Sequence, residues 1–299
     1  MYKGEKFQLR SPDDVRADID AIAAVCRRLQ AISQELGYGG DIHRDVAVTL
    51  LEREPALNTH GFVMIYDWLM SGGKTAFLQD ANSLILPTER LVEILRHLRK
   101  SFPSLNRVTS YARSRTLVQR TPEELVRIRE AGLDRLHVGL ETGDDGLLKR
   151  IKKGVTSEGH IRGGKKAVAA GFQLSEYWMP GLGGRAMWED HARNTARVLN
   201  AINPHYIRSR PFFPSPGSPL FEACSSGEFQ LLTPWEQLME LKLMISELDV
   251  TSKVCFDHAG NCWVGPKGRL LFSQSYEGYQ FPHEKPQVLQ LIEEGMAVQ

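Results

Sequence analysis

The sequence has little cysteine, little net charge and no long apolar run, and each shortage excludes a class of protein. Four cysteines among 299 residues, Cys26, Cys224, Cys255 and Cys262, are too few and too scattered for a disulfide framework. Reduced thiols of this kind suit a cytoplasmic chain. The formal net charge is +1, so no global field draws the chain to nucleic acid or to an anionic membrane, and neither is an expected partner. The first ten residues are polar and charged, and no apolar stretch approaches the roughly eighteen residues of a spanning helix. The expectation is a soluble protein. Neither G-x-S-x-G nor H-E-x-x-H occurs, which removes the simplest hydrolase readings.

What is present is a repeating pattern. A 42% hydrophobic composition can fill a large core, and the length suits one β/α barrel with decorations. Three helix openings recur: Ser11-Pro12-Asp13-Asp14, Thr121-Pro122-Glu123-Glu124 and Thr233-Pro234-Trp235-Glu236. Each sets a hydroxyl at the N-cap, Pro at the first helical position and a carboxylate three residues after the cap. The first of these helices is amphipathic, with Val15, Ile19, Ile22, Cys26 and Leu29 falling on one face.

Short β-rich runs alternate with such helices at 75–79, 107–111, 135–140, 172–179 and 206–212. Alternation of this kind predicts a parallel sheet with right-handed crossovers, an α/β partial barrel resembling a TIM barrel. Two segments break the rhythm. Residues 37–73 read as an insertion with helical stretches at 45–54 and 62–70, and residues 250–299 as an irregular extension ending in a helix at 286–294. The expected domains are therefore a barrel over 1–249 and an extension over 250–299. A β-first barrel should also begin with a strand, whereas here a helix comes first.

Ligands of parallel α/β folds bind at the carboxyl ends of the strands, and polar residues collect there. They are Asp80, Asn82 and Ser83; Ser110, Tyr111 and Arg113; Glu141 and Thr142; Glu176, Tyr177 and the loop 180–185; and Arg208 with Arg210. Any one of them can be polar merely because it meets water, but convergence from five strands points to a pocket for a charged or zwitterionic ligand. Glu141 stands out, because a carboxylate ending the run 137–140 is costly to bury alone. Its structural alternative is a salt bridge to Arg113 or Arg208. In an unrelated barrel enzyme, Glu141 and Glu176 would be the acid and base.

Other motifs carry less. Gly181-Leu182-Gly183-Gly184 either passes close to a nucleoside or makes a tight turn. Gly72-Gly73-Lys74-Thr75 precedes a strand and has Trp68 where a phosphate loop needs glycine, so no such loop is expected. The basic run Lys149-Arg150-Ile151-Lys152-Lys153 reads as a solvated loop. Cys255, Asp257, His258 and Cys262 lack the close cysteine pairing of a zinc site.

Taken in order, Phe77-Leu78-Gln79-Asp80-Ala81-Asn82-Ser83-Leu84, Val108-Thr109-Ser110-Tyr111-Ala112-Arg113, Gly139-Leu140-Glu141-Thr142-Gly143-Asp144, Met179-Pro180-Gly181-Leu182-Gly183-Gly184 and Phe213-Pro214-Ser215-Pro216-Gly217-Ser218-Pro219-Leu220 resemble radical S-adenosylmethionine proteins. The resemblance runs from the start to about Asp249. It implies a 4Fe-4S cluster on a C-x3-C-x2-C loop, reductive cleavage of S-adenosylmethionine, hydrogen abstraction from a substrate the sequence does not name, and a reductant of flavodoxin or ferredoxin type.

By that resemblance Asp80 and Asn82 lie near the methionine moiety, although the family's Gly-Gly-Glu-like turn is here Gln79-Asp80-Ala81-Asn82. Ser110, Arg113 and Glu141 line the ribose and carboxylate side. Glu176 shares the same mouth, Met179, Gly181 and Gly183 flank adenine, Arg208 is a carboxylate contact, and Arg210 and Tyr111 face substrate.

The three-cysteine loop is not among these residues, so no cluster is expected in this chain and its catalysis is doubtful. Met1-Tyr2-Lys3-Gly4 resembles the segment directly after the third cysteine in relatives, so the expectation is a truncated radical enzyme whose first strand and loop lie upstream. The alternative is a cluster-free barrel binding a nucleotide-like ligand or a partner. Without its first strand, the strand at 75–79 should have an unpaired edge unless the insertion, the extension or another subunit covers it.

Overall fold

The computed structural model describes residues 9–79, 82–265 and 268–298. Among them, in chain order, are α1 (Pro12–Glu35), α2 (Arg44–Arg53), α3 (Thr59–Met70), β1 (Thr75–Leu78), α4 (Thr88–Ser101), β2 (Arg107–Ala112), α5 (Ser114–Gln119), α6 (Pro122–Glu130), β3 (Arg135–Glu141), α7 (Asp145–Arg150), α8 (Ser157–Ala169), β4 (Gln173–Trp178), α9 (Gly184–Ile202), β5 (Tyr206–Ser209), α10 (Pro219–Ser225), α11 (Pro234–Glu247), β6 (Lys253–Cys255), β7 (Tyr279–Gln280) and α12 (Lys285–Val298). Two compact units result. The first comprises Met1–Gln79, Ser83–Thr109 and Arg127–Asp134; the second comprises Asp80–Asn82, Ser110–Val126 and Arg135–Gln299.

In the first unit, α1 starts where the sequence says it should. The Asp14 amide donates to Ser11 Oγ, and the Asp14 carboxylate accepts from the Ser11 amide, a reciprocal capping box that satisfies two otherwise free donors. Its buried stripe is Ile19, Ala23, Cys26 and Leu29; Ile22, expected on that face, is 37% exposed because Ala23 takes the inward position. The segment 37–73 supplies α2 and α3. Val46, Ala47, Leu50 and Phe62 pack on Val25, Leu29 and Ile32 of α1, so this segment completes a helical core. Bonds from the Asn106 and Arg107 amides to the Lys74 carbonyl lay the start of β2 beside β1.

Among the described residues of the first unit β1 lies beside the start of β2, and among those of the second β3, β4, β5, β6 and β7 succeed one another across the sheet in chain order. As an edge strand, β1 alternates exposed and half-buried residues. In the second unit β3, β4, β5 and β6 pair in parallel, as the βα alternation predicts, and β7 returns antiparallel to β6. Residues 250–299 thus carry two strands of the sheet.

Strand alternation divides this sheet into two chemically different faces. Val138, Glu176, Ile207 and Val254 form one register row, on the side where Trp178 meets His191 of α9. That is the helix-covered face. Gly139, Tyr177, Arg208 and Cys255 form the neighbouring row on the opposite, inner face, which is polar.

Candidate functional site

The site is built in the second unit around the end of β3. There the register against β4 shifts between Gly139 and Glu141, and Glu141 adopts φ 64°, a left-handed conformation that costs a side-chain-bearing residue energy. Lys153, arriving from the segment after α7, donates from Nζ to Glu141 Oε1 at 2.7 Å, and both side chains are partly buried. Gly139 makes room for this pair, since a β-carbon there would stand 2.9 Å from Lys153 Nζ and collide with the Glu141 carboxylate. The ion-pair partner is neither Arg113 nor Arg208. Lys153 leaves the solvent that its basic run suggested because a half-buried carboxylate attracts the nearest flexible cation.

Beside this pair lies an aromatic floor. The ring centroids of Tyr111 and His137 are 6.1 Å apart and those of His137 and Tyr177 are 5.4 Å apart, so β2, β3 and β4 each contribute one ring to the inner face. Burial raises the Tyr177 phenol pKa, so it stays a neutral donor.

The loop 179–184 is held from several sides. The Met179 amide donates to the Glu141 carbonyl at 2.9 Å, which ties the loop to the bulged end of β3. His191, fully buried on α9, bonds the Met179 carbonyl through Nε2 at 3.0 Å and Thr142 Oγ1 through Nδ1 at 2.7 Å. A carbonyl can only accept, so Nε2 carries the proton and Nδ1 accepts from the hydroxyl. Burial lowers the His191 pKa to about 4 and keeps the ring neutral. Gly181, at φ 86°, donates its amide to Glu240 Oε2 at 2.6 Å. Asn82 accepts from the Arg113 amide at 3.1 Å and donates to Thr116 at 2.8 Å, bracing the end of β2.

The other residues selected from the sequence occupy varied places. Asp80 lies outside the described residues. Ser110 is buried, and its hydroxyl donates to the neighbouring Tyr111 carbonyl. Glu176 is fully buried in the row facing the helices, one position out of phase with Tyr177, and neither carboxyl oxygen has a hydrogen-bond partner among the described residues. Arg208 is also fully buried: Nε donates to Ser175 Oγ, Nη1 to Asp257 Oδ2 and Nη2 to the Tyr276 carbonyl, and its guanidinium sits 4.0 Å over the Tyr276 ring. Arg135 holds the same tyrosine by its hydroxyl. Arg113 and Arg210 are exposed, and Gly183 packs against the first turn of α9. The structure thus gathers Glu141, Tyr111, Met179, Gly181 and Tyr177, all read from the sequence as strand-end residues, with Lys153 and His137, which sequence reasoning did not select as site residues.

Two ligands are testable against this arrangement. A cation beside a carboxylate and an aromatic floor fit a zwitterionic nucleoside such as S-adenosylmethionine. The thiols do not fit a 4Fe-4S cluster: Cys26 is buried in α1, Cys255 is buried on β6 against the Tyr276 carbonyl, and Cys224 and Cys262 are elsewhere in the sequence with no three-cysteine spacing. Among the described residues no three His, Cys, Asp or Glu side chains group as metal ligands. No helix there is long and apolar enough to cross a membrane.

Comparison with known proteins agrees with the fold. The structure is similar to archaeal Elp3 of Methanocaldococcus infernus, carrying an N-terminal deletion, with TM-score 0.52 and 15% identity over 82% of this chain and 60% of that one. It also matches coproporphyrinogen III oxidase of Escherichia coli, a radical SAM enzyme, with TM-score 0.46 and 14% identity over 58% of this chain and 39% of that one. The chain therefore spans less than two thirds of these proteins. No curated protein matches significantly. The radical SAM superfamily model matches residues 2–194, well over half of the sequence. The chain belongs to the radical SAM superfamily.

Proposed function

We propose that the second unit binds S-adenosylmethionine at the carboxyl ends of β2, β3 and β4, as the ligand-binding part of a radical enzyme. The observation that carries this reading is the Glu141–Lys153 pair seated over Gly139. A methionine zwitterion offers a carboxylate to Lys153 and an ammonium to Glu141, exchanging one ion pair for two charge-assisted ones. Tyr111, His137 and Tyr177 support the nucleoside, the loop 179–184 runs along adenine, and Asn82 and Arg113 close the β2 side. Arg208 acts in this reading by fixing the wall beside Tyr177, and Glu176 by its packing behind it.

The cluster and its electron chemistry belong, in this reading, to residues other than these 299, because the thiols present have the wrong spacing. These residues bind, orient and exclude water, and no bond-breaking step is assigned to them. A small-molecule substrate, a flavodoxin- or ferredoxin-type reductant, a cytoplasmic location and a second copy along the β1 edge complete the proposal. The same thiol pattern favours a second reading, an adenosyl-binding protein without radical chemistry.

Calorimetric titration with S-adenosylmethionine tests the shared part: saturable one-to-one binding is expected, and no binding refutes it. In-frame translation of the DNA upstream of Met1 separates the readings. A C-x3-C-x2-C sequence there supports the enzyme, and an immediate stop codon supports the cluster-free protein.

A further inference from the structure

One backbone amide of the loop 179–184 is held by a side chain remote in sequence. Glu240 lies on the buried face of α11 with Leu241 and Met244, and is itself fully buried. Its Oε2 accepts the Gly181 amide at 2.6 Å, while Oε1 has no hydrogen-bond partner among the described residues. Gln237, one turn earlier, brings its side-chain nitrogen to 3.7 Å from the place a Gly181 β-carbon would occupy. Glu236, at the start of the same helix, pairs with Arg185 just beyond the loop at 2.9 Å. Two neighbouring residues of α11 therefore address the glycine loop, and a third holds the residue just beyond it.

We infer that Glu240 is a positioning residue: by holding the Gly181 amide it fixes the loop 179–184 in the shape that receives an adenosyl ligand, without touching that ligand. The inference rests on the adenosyl reading above. Its physical reason is that Gly181 at φ 86° has no steric preference for this conformation, so a dedicated acceptor must select it. A buried amide left without an acceptor would favour another loop shape. Burial also pushes the Glu240 carboxyl up to about 8, so the accepting oxygen belongs mostly to a neutral acid at pH 7. Glutamine is then its close mimic.

The test compares wild type, Glu240→Gln and Glu240→Met, with Glu240→Ala in reserve should methionine prevent folding. The probe is S-adenosylhomocysteine, its affinity read by calorimetry, alongside hydrogen exchange of the Gly181 amide and the thermal midpoint. Glu240→Gln should bind within about twofold of wild type, whereas Glu240→Met should weaken binding by about tenfold and speed Gly181 exchange at least as much, at an equal or higher midpoint. Unchanged affinity and exchange in Glu240→Met would overturn the inference, as would a glutamine variant as impaired as the methionine one. If wild type binds no probe, the adenosyl reading fails, and the exchange comparison still decides whether Glu240 sets the loop.

Discussion

Glu141 and Lys153 meet at 2.7 Å over Gly139, a position that admits no β-carbon without displacing them. The two residues are joined by a left-handed turn at Glu141 and a helix, α7, so the pair links the end of a strand to the next crossover. Gly139→Ala should therefore separate the charges while leaving the fold nearly intact, because both obstructing atoms end flexible side chains. The expected outcome is a thermal midpoint within a few degrees of wild type and S-adenosylmethionine affinity lower by about tenfold. Melting and titration on the same sample check both.

Glu176 sits between Val138 and Ile207 with no hydrogen-bond partner for its carboxyl oxygens among the described residues, and burial raises its pKa well above the ordinary 4.5. The folded state then holds a proton that the unfolded chain releases, so stability falls as pH rises from 4.5 toward the folded value. Glu176→Met should remove that slope and stabilise the protein by about 1–3 kcal/mol at neutral pH. Urea unfolding at several pH values measures both effects. A destabilised methionine variant would show that the carboxyl has a buried partner.

Two of the buried histidines, His191 and His160, act in the opposite sense. Burial lowers His191 to about 4 and His160 to about 3, against 6.5 in the unfolded chain. The unfolded chain takes up protons first, so stability present above pH 6.5 is lost as pH falls through about 4 and about 3. His191→Asn should lower stability at pH 7, by losing contacts to Thr142 and Met179, yet narrow the difference between pH 7 and pH 5. Unfolding midpoints at the two pH values decide this.

Arg208 is closed in by Ser175, Asp257 and the Tyr276 carbonyl. Asp257→Asn leaves a buried guanidinium without its carboxylate and should cost about 3 kcal/mol in chemical denaturation. Arg208→Met together with Asp257→Leu should recover most of that loss, since an apolar pair needs no charge compensation. Failure of the double variant to recover would mean that the arginine has a role in the mouth.

The sequence read well where the signal was local and periodic. The caps at Ser11 and Thr233 and the strands from β1 to β5 arise directly from hydroxyl–Pro–carboxylate openings and apolar runs. Strands β6 and β7, three and two residues long, carry too little pattern to stand out among Gly, Pro and aromatic residues. The site was only partly legible. Glu176 and Tyr177 are adjacent, and only the strand's phase tells which faces the inner row; that phase is fixed by pairing with Gly139 and Arg208, a tertiary fact. Lys153 was hidden in a basic run, and Glu240 acts from a helix about sixty residues after its glycine, so no local spacing pointed to it.

The measurement that tests the central claim most directly is the ratio of affinities for S-adenosylmethionine and 5′-deoxyadenosine, which lacks the amino-acid end, in wild type and in Lys153→Met. If Lys153 and Glu141 receive that end, wild type should prefer S-adenosylmethionine by about tenfold or more, and Lys153→Met should bring the ratio close to one with little change for 5′-deoxyadenosine. An unchanged preference in Lys153→Met would contradict the account.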